Sequence, residues 1–82
     1  MKRRDTMKHF DPKLMSHNMK ALRKQAGMTQ ADVGKALGIT KQAVCRLENA
    51  PQKTNAKRLI ELAELYGCNA RDFFTEAQSP KG

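Results

Sequence analysis

At 82 residues, the chain has room for one compact domain and excludes two, and it would bury only about 60–65% of its unfolded surface. Three Phe, one Tyr and no Trp leave a small core of aliphatic side chains and Met, which favours packed helices. The formal net charge of +8 indicates a polyanionic partner or an ordinary basic surface, and no apolar run approaches the ~18 residues of a membrane span.

The first eleven residues form a basic segment with neither a helical stripe nor a long strand alternation. We interpret residues 1–11 as a flexible arm with little structure of its own, and a short strand over residues 6–10 is the competing interpretation. The cluster Lys2, Arg3 and Arg4 suits contact with a DNA groove or backbone, and it equally suits simple solubilisation.

A first helix is predicted to follow this arm. Asp11 is a suitable N-cap, and Pro12 suits the first turn of a helix. The apolar stripe that follows has spacings of four, three and four residues and consists of Met15, Met19, Leu22 and Ala26. Gly27 then ends the helix.

The second and third helices are predicted to meet at a tight turn. Thr29 is a suitable N-cap for a helix that ends at Leu37, and Asp32 completes a capping-box-like pair with it. Gly38 accepts a positive φ, and Thr40 is a fresh N-cap for the third helix.

The third helix is predicted to end near Asn49, because the stretch APQK over residues 50–53 breaks its pattern. Thr54 or Asn55 is a suitable N-cap for a fourth helix that ends at Gly67. This helix carries the apolar residues Leu59, Leu62, Ala63 and Tyr66.

A last short helix is predicted to open at Asn69 and to carry Phe73 and Phe74, before a disordered tail over residues 77–82. The sequence therefore predicts an all-α fold, a compact bundle of about five short helices over residues 12–76. The arm and the tail flank this single domain.

Four motifs follow one another at defined spacing: LRKQAGMTQ at 22–30, GIT at 38–40, VCRLEN at 44–49 and LxxLAxxYG at 59–67. With them, the run from Leu22 to Phe74 resembles the lambda-repressor and Cro-like helix-turn-helix family over roughly 53 of the 82 residues. The resemblance implies a DNA-binding module whose third helix lies in the major groove while the second crosses the phosphate backbone.

The third helix then has a face suited to base edges. Because Val44 and Leu47 are three residues apart and point to the core, the outward side chains form a reading face of Lys41, Gln42, Cys45 and Arg46. Arg46 suits guanine, Gln42 suits adenine, and Lys41 suits guanine or a phosphate. Ala43, at the edge of this face, suits either a thymine methyl group or helix packing.

Phosphate contacts are implied by the resemblance for three residues: Gln30, Thr40 and Asn49. Such contacts position a protein on DNA and carry no sequence information directly. Thr40 also caps its helix, and the two roles are compatible because a hydroxyl both donates and accepts. Lys53 and Lys57, beside the loop after the third helix, are further candidates for backbone contact.

Arg23 and Glu48 match positions that often pair in this family, which implies a structural pair between the first and third helices. As a surface pair it would contribute only ~0–1 kcal/mol, so its expected value is to fix the angle of the third helix. Two departures from the family pattern are Gly34, where alanine is usual, and Ala50-Pro51, which replace a loop glycine.

Nothing in the sequence indicates catalysis, a metal or a cofactor. Cys45 and Cys68 form no CxxC pair, and His9 and His17 lack partners at ligand spacing. We expect reduced thiols and a cytoplasmic protein, since no apolar signal segment follows the basic N-terminus. Cys45 on the reading face is interpreted as a small unreactive side chain or as a redox switch.

The expected function is that of a repressor that binds a palindromic operator as a homodimer. Residues 14–60 carry nine basic and two acidic side chains, whereas residues 61–82 carry two and four. The less basic end therefore offers a dimer interface, with Leu65, Phe73 and Phe74 as candidates, unless they complete the monomer core. Ile60 has the same two interpretations.

Two alternative functions stay open. The RLENAP stretch and the small size also resemble autoregulating antitoxins of bacterial toxin–antitoxin pairs, which would add a toxin as partner. A third hypothesis keeps the fold and uses its basic face on an acidic protein or a membrane surface.

Overall fold

Four α-helices and two 3₁₀ turns make up the fold in the computed structural model, which describes residues 11–75. The helices are α1 (Pro12–Gln25), α2 (Gln30–Leu37), α3 (Lys41–Asn49) and α4 (Ala56–Tyr66), and the 3₁₀ turns are Pro51–Lys53 and Ala70–Phe73. No strand occurs within these residues, and the all-α prediction is confirmed. The arm, its alternative strand and the tail lie outside the described residues.

Each α-helix begins at a predicted N-cap whose side-chain oxygen accepts a backbone N–H: Asp11, Thr29, Thr40 and Asn55. Asn55 therefore caps α4, and Thr54 does not. At Thr29 the capping box is complete, because the Thr29 backbone N–H donates to the Asp32 carboxylate at 2.9 Å. This hydrogen bond lowers the pKa of Asp32.

The core is formed by all four α-helices and the second 3₁₀ turn. Its buried members are apolar side chains from every α-helix: Met15, Met19, Leu22, Val33, Val44, Leu62, Ala63, Tyr66 and Phe73. Tyr66 and Phe73 meet edge to face with ring centroids 6.4 Å apart. The buried Asn18 amide donates to the Phe73 carbonyl at 3.0 Å, which ties the turn to α1.

The end of the chain differs in two respects from the sequence prediction. The fifth helix is a single 3₁₀ turn, which is too short to carry both aromatic residues inside it. Phe73 is completely buried, whereas Phe74 follows the turn and is 40% exposed. Phe73 is thus a core residue. The expectation that it contacts a dimer partner is replaced by the alternative, that it completes the monomer core.

The turn between α2 and α3 depends on two glycines. Gly38 has φ +74° and ψ 31°, in the left-handed region, and the Ile39 N–H donates to the Gly34 carbonyl at 2.9 Å. A Cβ atom at Gly34 would lie 2.7 Å from the Ile39 carbonyl oxygen. Gly34, at a position where the family usually has alanine, therefore lies where α2 approaches the start of α3 very closely.

We predict that Gly38→Ala destabilises the fold by about 1 kcal/mol, because alanine disfavours the left-handed conformation. Space is not the cause, since a Cβ there would meet nothing within 4 Å. Urea denaturation followed by circular dichroism measures the loss. Gly38→Asn, which tolerates this conformation better, is the matched control and should lose less. Equal stability of wild type and Gly38→Ala would contradict the conformational explanation.

Candidate nucleic-acid interface

Helix α3 presents two chemically different faces. Val44 and Glu48 are each 1% exposed and point inward. The opposite side carries the reading face, on which Lys41, Gln42 and Arg46 are exposed and Cys45 is half-buried. Three of its four side chains therefore stand in solvent on a helix that is anchored from behind.

The start of α3 lies beside the start of α2. An open concavity of about 660 Å³ joins the two, and Lys24, Gln30 and Lys41 are among its lining residues. Thr40 Oγ1 accepts the Ala43 N–H at 3.0 Å, as expected of a cap, and its own O–H is a donor in addition. Helix N-termini carry partial positive charge, so this region suits an anion.

A buried ion pair anchors α3 to α1. Arg23 Nε donates to Glu48 Oε2 at 2.6 Å, and the two side chains are only 10% and 1% exposed. Arg23 Nη1 also donates to the Met28 carbonyl at 2.9 Å. The predicted pairing is therefore present, but the surface location assumed for it is wrong, because the core closes over both groups.

Gln30 extends this ion pair to α2. Its Nε2 donates to Glu48 Oε1 at 2.9 Å, so the first residue of α2 is held by a carboxylate from α3. The family resemblance implies phosphate contact for Gln30 and gives no indication of this bond. One feature of the sequence could have indicated this bond. A buried carboxylate can accept more hydrogen bonds than one arginine donates to it, so a second donor is needed.

Tyr66 lies near the same carboxylate. Burial, reinforced by the negative charge of Glu48, raises the pKa of the Tyr66 hydroxyl far above its ordinary value. The phenol therefore stays neutral at any physiological pH.

The loop after α3 follows a path that needs no glycine. Ala50 has φ −138° and ψ 62°, and the buried Pro51 opens the first 3₁₀ turn. Lys53 in this turn and Lys57 in α4 are both exposed. The replacement of the usual glycine by Ala50-Pro51 is thus accommodated, and Lys53 lines an open concavity together with Asn49 at the end of α3.

The two cysteines differ in setting. Cys45 Sγ accepts from Asn49 Nδ2 at 3.3 Å, so the Asn49 amide predicted to contact phosphate is held along its own helix. Cys68 is half-buried, and burial raises the pKa of its thiol. Both are free thiols.

The remaining dimer candidates lie on α4 and after the second 3₁₀ turn. Leu65 is half-buried and packs against the core, and Ile60 is 51% exposed. In residues 11–75, no three His, Cys, Asp or Glu side chains are grouped as metal ligands would be. None of the helices described is both long and apolar enough to cross a membrane.

Comparison with known proteins agrees with this geometry. A family model described as helix-turn-helix matches residues 19–73, which covers α2, the glycine turn and α3 together with the helices that support them. The chain belongs to the lambda-repressor and Cro-like helix-turn-helix family. It is a DNA-binding regulator, with α2 and α3 as the two helices of the motif.

A relative of this helix-turn-helix chain is the antitoxin HipB of Escherichia coli O6:H1 (strain CFT073). The two are 27% identical over 75 residues, which is 85% of this chain and 80% of the relative. No solved structure matches the chain significantly.

We predict that Glu48→Ala destabilises the helix-turn-helix fold by about 3–5 kcal/mol, because it leaves the buried Arg23 without its counter-charge. The matched control is Glu61→Ala, which removes the partly exposed Arg58–Glu61 pair of α4. That pair should contribute at most about 1 kcal/mol. Thermal and urea unfolding of both variants measure the difference, and similar small losses would show that the Arg23–Glu48 pair is not a structural anchor.

Proposed function

We propose that the protein is a cytoplasmic, sequence-specific repressor that binds a palindromic operator as a homodimer, with α3 in the major groove. The observation that carries this proposal is the reading face. Its exposed Lys41, Gln42 and Arg46 lie on a helix fixed from behind by Val44 and the buried Glu48. A rigid helix with exposed donors is what direct base recognition requires.

The reading face divides by chemistry. The Arg46 guanidinium suits guanine O6 and N7, the Gln42 amide suits adenine N6 and N7, and Lys41 donates to guanine or to a phosphate. Ala43 and Cys45, both half-buried, offer apolar contact to a thymine methyl group. Each good bidentate pairing discriminates by ~1–3 kcal/mol.

Phosphate contacts flank this face in the proposal. Gln30 and Thr40 lie at the starts of α2 and α3, where helix dipoles favour an anion. Asn49, Lys53 and Lys57 lie at and after the other end of α3, and the charges of the two lysines supply the attraction there.

Homodimerisation supplies the site length that one small module lacks. We assign the contact to the less basic end of the chain, with Leu65 and Phe74 as the interface candidates that the fold leaves at the surface in part. A two-fold dimer of such modules places its half-sites about one helical turn apart, ~34–36 Å.

Selection of duplexes from a random pool with the full chain tests the proposal directly. We expect an enriched palindrome whose half-sites are one helical turn apart, bound ~10³-fold or more tightly than random DNA at physiological salt. Equal affinity for the selected and random duplexes would rule out a sequence-specific repressor. Enrichment of a single half-site, with a monomer in sedimentation, would rule out the dimer.

We predict that Arg46→Ala and Lys53→Ala weaken binding in different ways. Arg46→Ala should cost about 1–3 kcal/mol on the selected operator and relax the preference at one base pair. Lys53→Ala should weaken all duplexes similarly and reduce the slope of log affinity against log salt by about one. Titrations at several salt concentrations measure both. A uniform loss from Arg46→Ala would remove Arg46 from the base contacts.

A second candidate function is that of a DNA-binding antitoxin. It is favoured by the similarity to the antitoxin HipB over most of both chains. The test is expression of the product of the neighbouring gene with and without this protein. Growth arrest that this chain relieves by forming a complex with that product would establish the antitoxin role, and an inert neighbour would contradict it.

A further inference from the structure

An open groove of about 410 Å³ lies between the C-terminal halves of α2 and α4. Its apolar part consists of Ala36, Leu37 and Leu65, and its charged residues are Glu61 and Glu64. Both leucines are half-buried against the core, so each leaves part of its side chain at this surface. In a chain with a net charge of +8, these five residues form a negative, partly apolar surface, which we name the acidic groove.

Glu64 is the unusual member of the acidic groove. The other carboxylates in residues 11–75 each accept a hydrogen bond from a backbone N–H or from an arginine: Asp11, Asp32, Glu48, Glu61 and Asp72. Glu64 is exposed, and within this part of the chain no cation pairs with its carboxylate. Glu61 also keeps acceptor capacity, because Arg58 donates to only one of its oxygens. The groove therefore offers two carboxylates to a cationic ligand.

The proposed homodimer needs more surface than its two interface candidates supply. A standard specific interface buries about 800 Å² on each partner, whereas one fully buried Phe contributes about 150–250 Å². Phe74 is only 40% exposed, and Leu65 is half-buried within its own chain. A further segment is therefore needed to complete the contact. Because Leu65 also lines the acidic groove, the groove adjoins the proposed interface.

The N-terminal arm has the chemistry that complements the acidic groove. Four cations stand against one acid in residues 1–10, and Met7 and Phe10 add apolar side chains. Methionine adapts well to an irregular apolar surface. Ten residues span up to about 33–36 Å when extended, which is enough to cross from one small domain onto another.

The arm joins the domain at the end that carries the dimer candidates. Asn18 in the first half of α1 donates to the Phe73 and Thr75 carbonyls, each at 3.0 Å, so this half lies against the second 3₁₀ turn. Lys24, near the other end of α1, lines the concavity at the starts of α2 and α3. Since α1 has 14 residues and is about 21 Å long, the arm begins at the opposite end of this helix from the candidate DNA surface.

We propose that in the homodimer the arm of each copy binds the acidic groove of the other copy. Arg3 and Arg4 pair with the two glutamates of the groove, and Met7 packs on Leu37 and Leu65. A two-fold axis makes the exchange reciprocal, so each dimer contains two arm–groove contacts. The inference rests on the proposed function, because the homodimer is what brings the arm of one copy to the other.

Sedimentation equilibrium of the full chain without DNA tests this exchange. The variant Arg3→Glu/Arg4→Glu should raise the dimer dissociation constant at least about tenfold, because four ion pairs per dimer become repulsive. Glu61→Lys/Glu64→Lys should do the same from the side of the groove. Combining all four changes should return the constant to within about threefold of wild type, since opposite charges meet again.

The matched control changes the same number of charges at another surface. Lys24→Glu/Lys41→Glu alters two exposed side chains that line the concavity at the starts of α2 and α3. It should leave the dissociation constant within about threefold of wild type, because charges more than a Debye length away are screened. Circular dichroism checks that every variant is folded.

Two outcomes would overturn the inference and leave the homodimer in place. One is a dissociation constant that the arm variant does not change, which would assign the dimer to another surface. The other is a loss in the arm and groove variants that their combination does not restore. A wild-type chain that stays monomeric at every concentration would instead overturn both the homodimer and the exchange. A loss of stability of that monomer in the arm variant, measured in urea, would then assign the groove to the arm of the same chain.

Discussion

The buried ion pair between Arg23 and Glu48 is the interaction on which the presentation of α3 depends. Removing two charges from water is costly, and attraction between them compensates only when the hydrogen-bonding geometry is good. Here the Glu48 carboxylate accepts from Arg23 and from Gln30, and Arg23 also binds the Met28 carbonyl. The pair therefore connects α1, the loop after it, α2 and α3 at one point. Charge-assisted hydrogen bonds have a specific geometry, so they add to the apolar packing of Val44 in favouring one orientation of α3.

Nine residues of α3 serve three surfaces at once, and helical periodicity makes this possible. Val44 and Glu48, four residues apart, share the inward face. The reading face lies opposite, and Ala43 and Leu47, both half-buried, lie on the flank between the two. Since the inward face and the reading face use different residues, a change in the reading face need not disturb the anchor. This separation lets base preference vary while the fold is kept.

Local features of this fold are largely predictable from the sequence, and long-range ones are not. Caps such as Thr29 and Thr40 and the glycine at 38 act through neighbouring atoms, so their patterns identify the helix ends. Whether Phe73 and Phe74 are buried or exposed depends on a 3₁₀ turn that is too short to show a periodic pattern in the sequence. The burial of Glu48 depends on how the helices close around it. The shape of the surface beside the end of α3 depends on the path of a loop whose residues lack a distinctive pattern.

Gln30 links the interior of the protein to its candidate DNA surface. Its amide nitrogen is engaged by Glu48, while its side chain is only partly buried beside Lys41. An amide donates two hydrogens and accepts through its oxygen, so one bond to Glu48 leaves further capacity directed elsewhere. Because the carboxylate can only accept, it holds the amide nitrogen and not the oxygen toward the core. The orientation of a side chain at the start of α2 is thus set by the charge that anchors α3, and the two helices of the motif are fixed relative to each other before any DNA is bound.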